Sequence, residues 1–263
     1  MSWQPAFGYD NYVMRVDTVL TATSASVALP VTYLQIYEQG DVGSAWQTAA
    51  GVTSATLTIT PALAGMTWRV MSLHRTNLTS SATVTFQLFT NPASLVDSKV
   101  VSGPSDGSGQ VIWTMSADRI ADYARVVIND LGNPLGALNI PLAYGGTAWL
   151  PLSGITSGST HARDGNQVDF VSRGGQQYPI PTFQQRRWDI EAVGVRASEV
   201  WVYLDTLMKF AVMTDNILFI PNMDSAVLSS EAVYGIVTKT ADVGFSDTTG
   251  DRQTMKLRIT ERL

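Results

Sequence analysis

The chain has 263 residues, of which 45% are hydrophobic and only 15% charged, and its net charge is −5. That is ample material for a buried core and excludes a wholly disordered protein. Seventeen basic residues against 22 acidic ones leave no cationic excess for phosphates, which argues against nucleic-acid binding; the lack of cysteine removes disulfides, thiolate metal sites and a cysteine nucleophile together.

The chain opens Met1-Ser2-Trp3-Gln4-Pro5, without a basic segment followed by an apolar run, and no stretch approaches the roughly 20 apolar residues of a membrane span. The expectation is a protein made and used without signal-peptide export or membrane insertion. Trp3, Phe7, Tyr9 and Tyr12 gather near the start. They suit an edge strand closing the chain's own sandwich, or an arm docked on a neighbouring subunit.

Alternation of apolar and polar residues over Ala55 to Thr60 and Thr83 to Leu88 predicts half-buried strands. Val27 to Tyr37, Thr67 to His74, Val111 to Met115 and Tyr123 to Asn129 read as further strands, with turn material at Glu38-Gln39-Gly40-Asp41 and a hairpin loop over Gly103 to Gly109. Between Thr18 and Trp68 the only charges are Glu38 and Asp41. Strand edges are usually protected by charge, so this scarcity points to edges that are covered.

After Pro151, the run Leu152 to Thr160 is rich in Ser, Thr and Gly and reads as a linker. The boundary is therefore placed between an N-terminal β-sandwich, 1–151, and a C-terminal β domain, 152–263. In the latter, Gln167 to Ser172, Arg187 to Val195, Ile217 to Ile220, Ala232 to Lys239 and Thr254 to Glu261 read as strands. One segment has helical period: Ser198 is placed to cap a helix from Glu199 to about Met213, with Val200, Trp201, Leu204, Leu207, Met208 and Ala211 on one stripe. The predicted class is mostly β, with two β-sandwich domains, the C-terminal one carrying a single flanking α-helix.

Chemistry-bearing residues are few. His74 alternates onto the polar face of a strand, and His161 sits in a turn entering one; neither has a second ligand at metal spacing. No nucleophile elbow, phosphate-binding loop, zinc-protease pair or dinucleotide fingerprint occurs. Asp106, Asp130, Asp164 and Asp251 stand beside turn residues, which favours backbone capping over calcium binding. The expectation is a non-enzyme without cofactor or metal. Arginine outnumbers lysine 13 to 4, and Arg163, Arg173, Arg186 and Arg187 are candidates for a subunit interface, since a planar fork bonds with little ordering cost. Trp46 and Trp113 are the candidates for a sugar-stacking platform, against the commoner role of Trp as core.

The stretch Asp122 to Asp130, followed by Leu131-Gly132-Asn133-Pro134 through Ile140 and then Ala143-Tyr144-Gly145-Gly146-Thr147-Ala148-Trp149-Leu150-Pro151, resembles a pattern in siphophage distal-tail and baseplate proteins. The helix from Ser198, the strand Ile217 to Pro221, the pair Tyr234-Gly235 and the closing Ile259 to Leu263 follow the same order. The resemblance implies a galactose-binding-like sandwich followed by a tail-tube-like ring domain. It implies a virion protein of a long-tailed bacteriophage, located at the tail tip and assembled in the host bacterial cytoplasm. There it would form a homo-oligomeric ring, expected as a hexamer, joining the tail tube protein to the baseplate hub and to tail fibres or receptor-binding proteins. The alternative is a carbohydrate-binding or receptor-binding tail protein.

Overall fold

The computed structural model describes residues 4–36, 42–171, 173–174, 176–212, 215–245 and 251–262. Trp3, the expected turn at 38–41, Ser172, Met213 and Leu263 lie outside them. Contacts divide the chain into two units, Met1–Trp149 with Ile220–Ala232, and Leu150–Phe219 with Val233–Leu263. Where the sequence suggests one cut at 151, the structure cuts at Trp149 and later returns a short segment to the first unit.

The first unit contains β1 (Ala6–Asn11), β2 (Val19–Ala22), β3 (Trp46–Gln47), β4 (Ser54–Thr60), β5 (Met66–His74), β6 (Thr83–Thr90), β7 (Ser94–Ser102), β8 (Val111–Ala121), β9 (Tyr123–Asn129), β10 (Asn139–Ile140) and β11 (Leu142–Trp149). One sheet runs β2-β4-β9-β6-β7, a second β1-β11-β5-β8, and β3 pairs with β10. The period-2 pattern works as expected: Ala55, Leu57 and Ile59 of β4 and Val84, Phe86 and Leu88 of β6 are buried, with Thr or Gln between them. These side chains join Trp46, Trp68, Met71, Leu73 and Trp113 in one cluster fed by both sheets, a two-layer sandwich. Full burial of one such side chain contributes about 1.5–3 kcal/mol.

Three local expectations change. Val27 to Tyr37 is not a strand: Pro30 is followed by a 3-10 helix, Val31–Gln35, which turns Leu34 into the core. Proline's fixed φ suits the entry to a helical turn and removes a ladder donor, which explains the switch. Ser94–Ser102 carries no clean alternation, yet it is the edge strand β7. Its exposed Leu95, Val96 and Val100 are interspersed with Asp97 and Lys99, the charges that discourage edge pairing. The Gly103 to Gly109 loop is not a hairpin either, because β7 and β8 belong to different sheets.

Close backbone approach fixes some glycines. A Cβ on Gly146 would lie 2.1 Å from the Asp10 carbonyl oxygen, where β11 pairs with β1. Gly146→Ala is expected to cost about 3 kcal/mol of stability, read as a lower urea midpoint; an unchanged midpoint would refute the tight approach.

The second unit contains β12 (Thr160–Val171), β13 (Gln177–Arg196), α1 (Ala197–Glu199), a π-helical turn Val200–Leu204, α2 (Asp205–Val212), β14 (Ile217–Ile220), β15 (Val233–Phe245) and β16 (Arg252–Glu261). The order is β12-β13-β16-β15-β14. Register places Trp188, Ile190 and Ala192 opposite Ile259, Leu257 and Met255, all buried on one face. The helix is not capped by Ser198; the cap position is Arg196, without a side-chain bond. The π turn shifts the helical phase, so Val200, Leu204 and Leu207 are buried while Trp201, expected on the same stripe, is 69% exposed.

The expected linker is pinned down. The Thr156 amide and hydroxyl and the Ser159 hydroxyl all donate to the Glu191 carbonyl oxygen, at 2.8, 3.1 and 3.2 Å, and the Glu191 amide donates back to Ser159 Oγ at 3.0 Å. The Leu152 amide donates to Glu199 Oε1 at 3.1 Å.

Candidate functional site

The most unusual element is the hairpin of β12 and β13. β13 pairs with β16 only over Arg187 to Arg196, whereas β12 pairs with β13 from Thr160–Asp189 out to Val171–Gln177. Beyond Arg187, therefore, the two strands form a ribbon with no third strand beside it among the described residues. At antiparallel spacing its length is roughly 30 Å. Isolated two-stranded ribbons are marginally stable in water, so such a segment suits a surface that gains a partner. Val168 and Phe183 on it are 55% and 41% exposed.

The two edges of the ribbon differ chemically. Pro179 and Pro181 of β13 lie opposite Asp169 and Gln167. Proline has no N–H to give, and alternate residues of an antiparallel ladder turn their backbone groups to the same side. Both prolines thus occupy positions facing away from β12, and they strip donors from the β13 edge. By the same parity, the N–H and C=O groups of Gln167 and Asp169 face the open edge of β12, which is the edge strand of its sheet. Of β13 the sequence shows Arg187 to Val195 as a strand but not residues 177–186, because of the prolines; their spacing of two was the usable signal.

The four candidate arginines separate. Arg163 and Arg173 are exposed on the ribbon and at its turn, and neither forms an ion pair among the described residues. Arg186 is buried at the ribbon's root: its backbone amide and Nε donate to Glu261 Oε2 at 3.0 and 2.9 Å, and Nη2 to Oε1. It is an internal staple, so it is removed from the candidate interface. Arg187 is also spent internally, on Asp164 at 2.5 Å and Asp189 at 3.2 Å.

Arg258 completes a ladder across three strands, its Nε 2.5 Å from Asp189. Slight burial works to raise the Asp189 pKa, but the Arg258 hydrogen bond and charge, helped by Arg187, outweigh it and hold the carboxyl below its ordinary value. A depressed carboxyl stabilises the fold above its unfolded pKa and loses that contribution as pH falls through the folded one. Asp189→Asn is expected to flatten the decline in urea midpoint below about pH 4, with a gap that shrinks in salt because the group is mostly solvated. An identical pH profile for variant and parent would contradict this.

The other candidates fall into the framework. Trp46 is fully buried, its indole donating to the Ser24 carbonyl at 3.0 Å; Trp113 is buried and stacked on Phe86. Neither ring presents a face to solvent, so neither forms a sugar platform. His161 stacks on Trp188 with ring centroids 4.9 Å apart. His74 lies in a buried chain: Gln110 Nε2 donates to the Ser229 and Ala232 carbonyls, which turns its Oε1 to His74 Nδ1 at 2.6 Å. His74 Nδ1 therefore carries a proton, and Nε2 lies in hydrogen-bond contact with Ser72 Oγ at 2.7 Å. The order resembles a nucleophile, base and orienter, but Ser72 is only 1% exposed, which leaves its hydroxyl out of reach of a substrate. Asp130 caps Thr79 and Asn133, and Asp106 caps Ser108. No group of three or more potential metal ligands occurs among the described residues.

One cavity in the first unit, of about 200 Å³, stands apart. Register sets Val70 opposite Thr114 and Trp68 opposite Arg119, so four residues of β8, Met115 to Asp118, bulge out against Arg69 alone. Bulges recur beside functional sites because they re-aim side chains. The bulge opens a hollow lined by Arg69, Thr114, Met115 and Ser116, closed by Gln4 and by Met223 and Asp224 of the returning segment. The Met223 amide donates to the Gln4 carbonyl at 3.0 Å and Thr114 Oγ1 to the Met223 carbonyl at 3.2 Å, which fixes the wall. Arg69 is 11% exposed; Nη1 stands 3.6 Å from Asp118, and the buried Nε makes no hydrogen bond. Burial pulls its pKa below the usual arginine value, against the opposing pull of Asp118.

No protein-family model matches the chain, and no curated protein does. Among solved structures it is similar to chitosan-binding module 1 of a chitosanase/glucanase from Paenibacillus sp. IK-5, at 17% identity over 52% of this chain and 99% of that one, with a TM-score of 0.40. A family 32 carbohydrate-binding module of Clostridium perfringens NanJ, in complex with galactose, matches at 12% identity over 51% and 96%, TM-score 0.40. A fucose-binding module of Streptococcus pneumoniae matches at 15% over 52% and 94%, TM-score 0.41. Each match concerns shape over about half the chain, and shape of itself transfers no activity.

Proposed function

We propose that this chain is a structural protein that works by joining copies of itself, with the β12–β13 ribbon as the joint. The observation that carries the reading is the ribbon's asymmetric edges, one stripped of donors by Pro179 and Pro181 and the other, on β12, left with its backbone groups turned outward. Strand addition to an open edge is a general route to association, and a head-to-tail contact of that kind closes into a ring when its rotation permits. Arg163 and Arg173, exposed and without an ion pair among the described residues, supply the planar donors that interfaces favour.

The likeness to siphophage distal-tail proteins supplies the finer reading: a ring, expected as a hexamer, at the tail tip, joining tail tube to baseplate hub and fibres. No enzymatic role enters. Light scattering with negative-stain imaging of the purified protein tests it, the expected result being a closed ring of one size. A monomer at high micromolar concentration would overturn it.

A second reading, carbohydrate binding by the first unit, is favoured by one observation, the Arg69 cavity with its convergent polar groups.

A further inference from the structure

We propose that the hollow beside the β8 bulge holds a neutral, hydroxyl-bearing ring, a single sugar unit. The proposal rests on the second reading and assigns it a site and a ligand class.

The buried Nε of Arg69 needs an acceptor, since a buried donor left unmade costs its full desolvation. That acceptor could be an anion or a neutral oxygen, and the facing charges decide. Asp224 lines the hollow, Asp118 lies 3.6 Å from Nη1, and neighbouring Arg119 is committed to Asp97 at 2.6 Å. Asp118 is thus spent on Arg69 and Arg119 on Asp97, which leaves Asp224 as the unbalanced charge of the lining. An incoming carboxylate or phosphate would add to that unbalanced negative charge, whereas a neutral ring would not.

A sugar hydroxyl both accepts and donates. One can accept from Arg69 Nε, and a neighbour can donate to Asp224, while the Gln4 amide and Ser116 hydroxyl at the mouth serve either role. Met115 and Met223 are buried and offer the soft apolar wall that the C–H side of a ring needs. The volume of about 200 Å³ is below the range of roughly 300–1,000 Å³ for drug-sized sites, which restricts the occupant to one ring.

The full chain is titrated with glucose, galactose and N-acetylglucosamine, and with glucuronate and inorganic phosphate as anionic probes, following amide NMR shifts. The expected result is saturable binding of at least one neutral sugar, with shifts concentrated at 114–118 and 223–224. Arg69→Gln should weaken it about tenfold or more, the value of a charged hydrogen bond. Asp224→Asn, at an exposed position where the fold should be unaffected, should weaken it severalfold. Sugar binding unchanged in both variants would overturn the site while leaving the second reading standing. No binding of any neutral sugar would overturn both, and binding confined to glucuronate and phosphate would overturn the neutral ring.

Discussion

Placing proline at both Gln167 and Asp169 is expected to leave a folded monomer whose self-association is about a hundredfold weaker than the parent's. The magnitude follows from two backbone donors, each contributing about 1–1.5 kcal/mol when paired across an interface. The design uses the ladder's own parity. Both residues stand opposite prolines of β13, at positions that make no ladder bond to that strand, so the ribbon loses nothing internally. Alanine at the same two positions keeps the N–H groups and should preserve assembly. Circular dichroism should match the parent in every variant. A proline variant that assembles normally would remove the β12 edge from the joint.

Glu261→Ala is expected to destabilise the second unit by about 3 kcal/mol, because it removes the carboxylate to which the buried Arg186 guanidinium and backbone amide donate at the ribbon's root. Pairs of this kind cost less to replace than to break. Arg186→Met combined with Glu261→Leu should recover most of the loss, so that the double variant is more stable than either single one by urea denaturation. Additive losses would show that the two side chains do not act as a pair.

Much of the β framework was legible because one face of each strand packs on a core. Ala55, Leu57 and Ile59 announce β4, and Tyr123 to Asn129 is β9 residue for residue. Ser94–Ser102 was hidden because an edge strand has little to bury, and residues 177–186 because proline reads as a breaker unless its parity is considered. The arginines could not be sorted from spacing, since what distinguishes Arg186 from Arg163 is Glu261, 75 positions away in the chain. Trp46 and Trp113 follow the commoner role of their type. The Arg69 hollow is a product of register, four residues set against one, and register is not written in either strand alone.

The return of Ile220–Ala232 to the first unit has a consequence for synthesis. The carbonyls of Ser229 and Ala232 hold Gln110, and through it His74 and Ser72. A nascent chain that has only just cleared Trp149 has all of the first unit's strands but not the segment that satisfies this polar chain. Completion of the N-terminal unit must wait for translation of most of the C-terminal one, so a stop codon at the apparent boundary would release a product with those groups unmet.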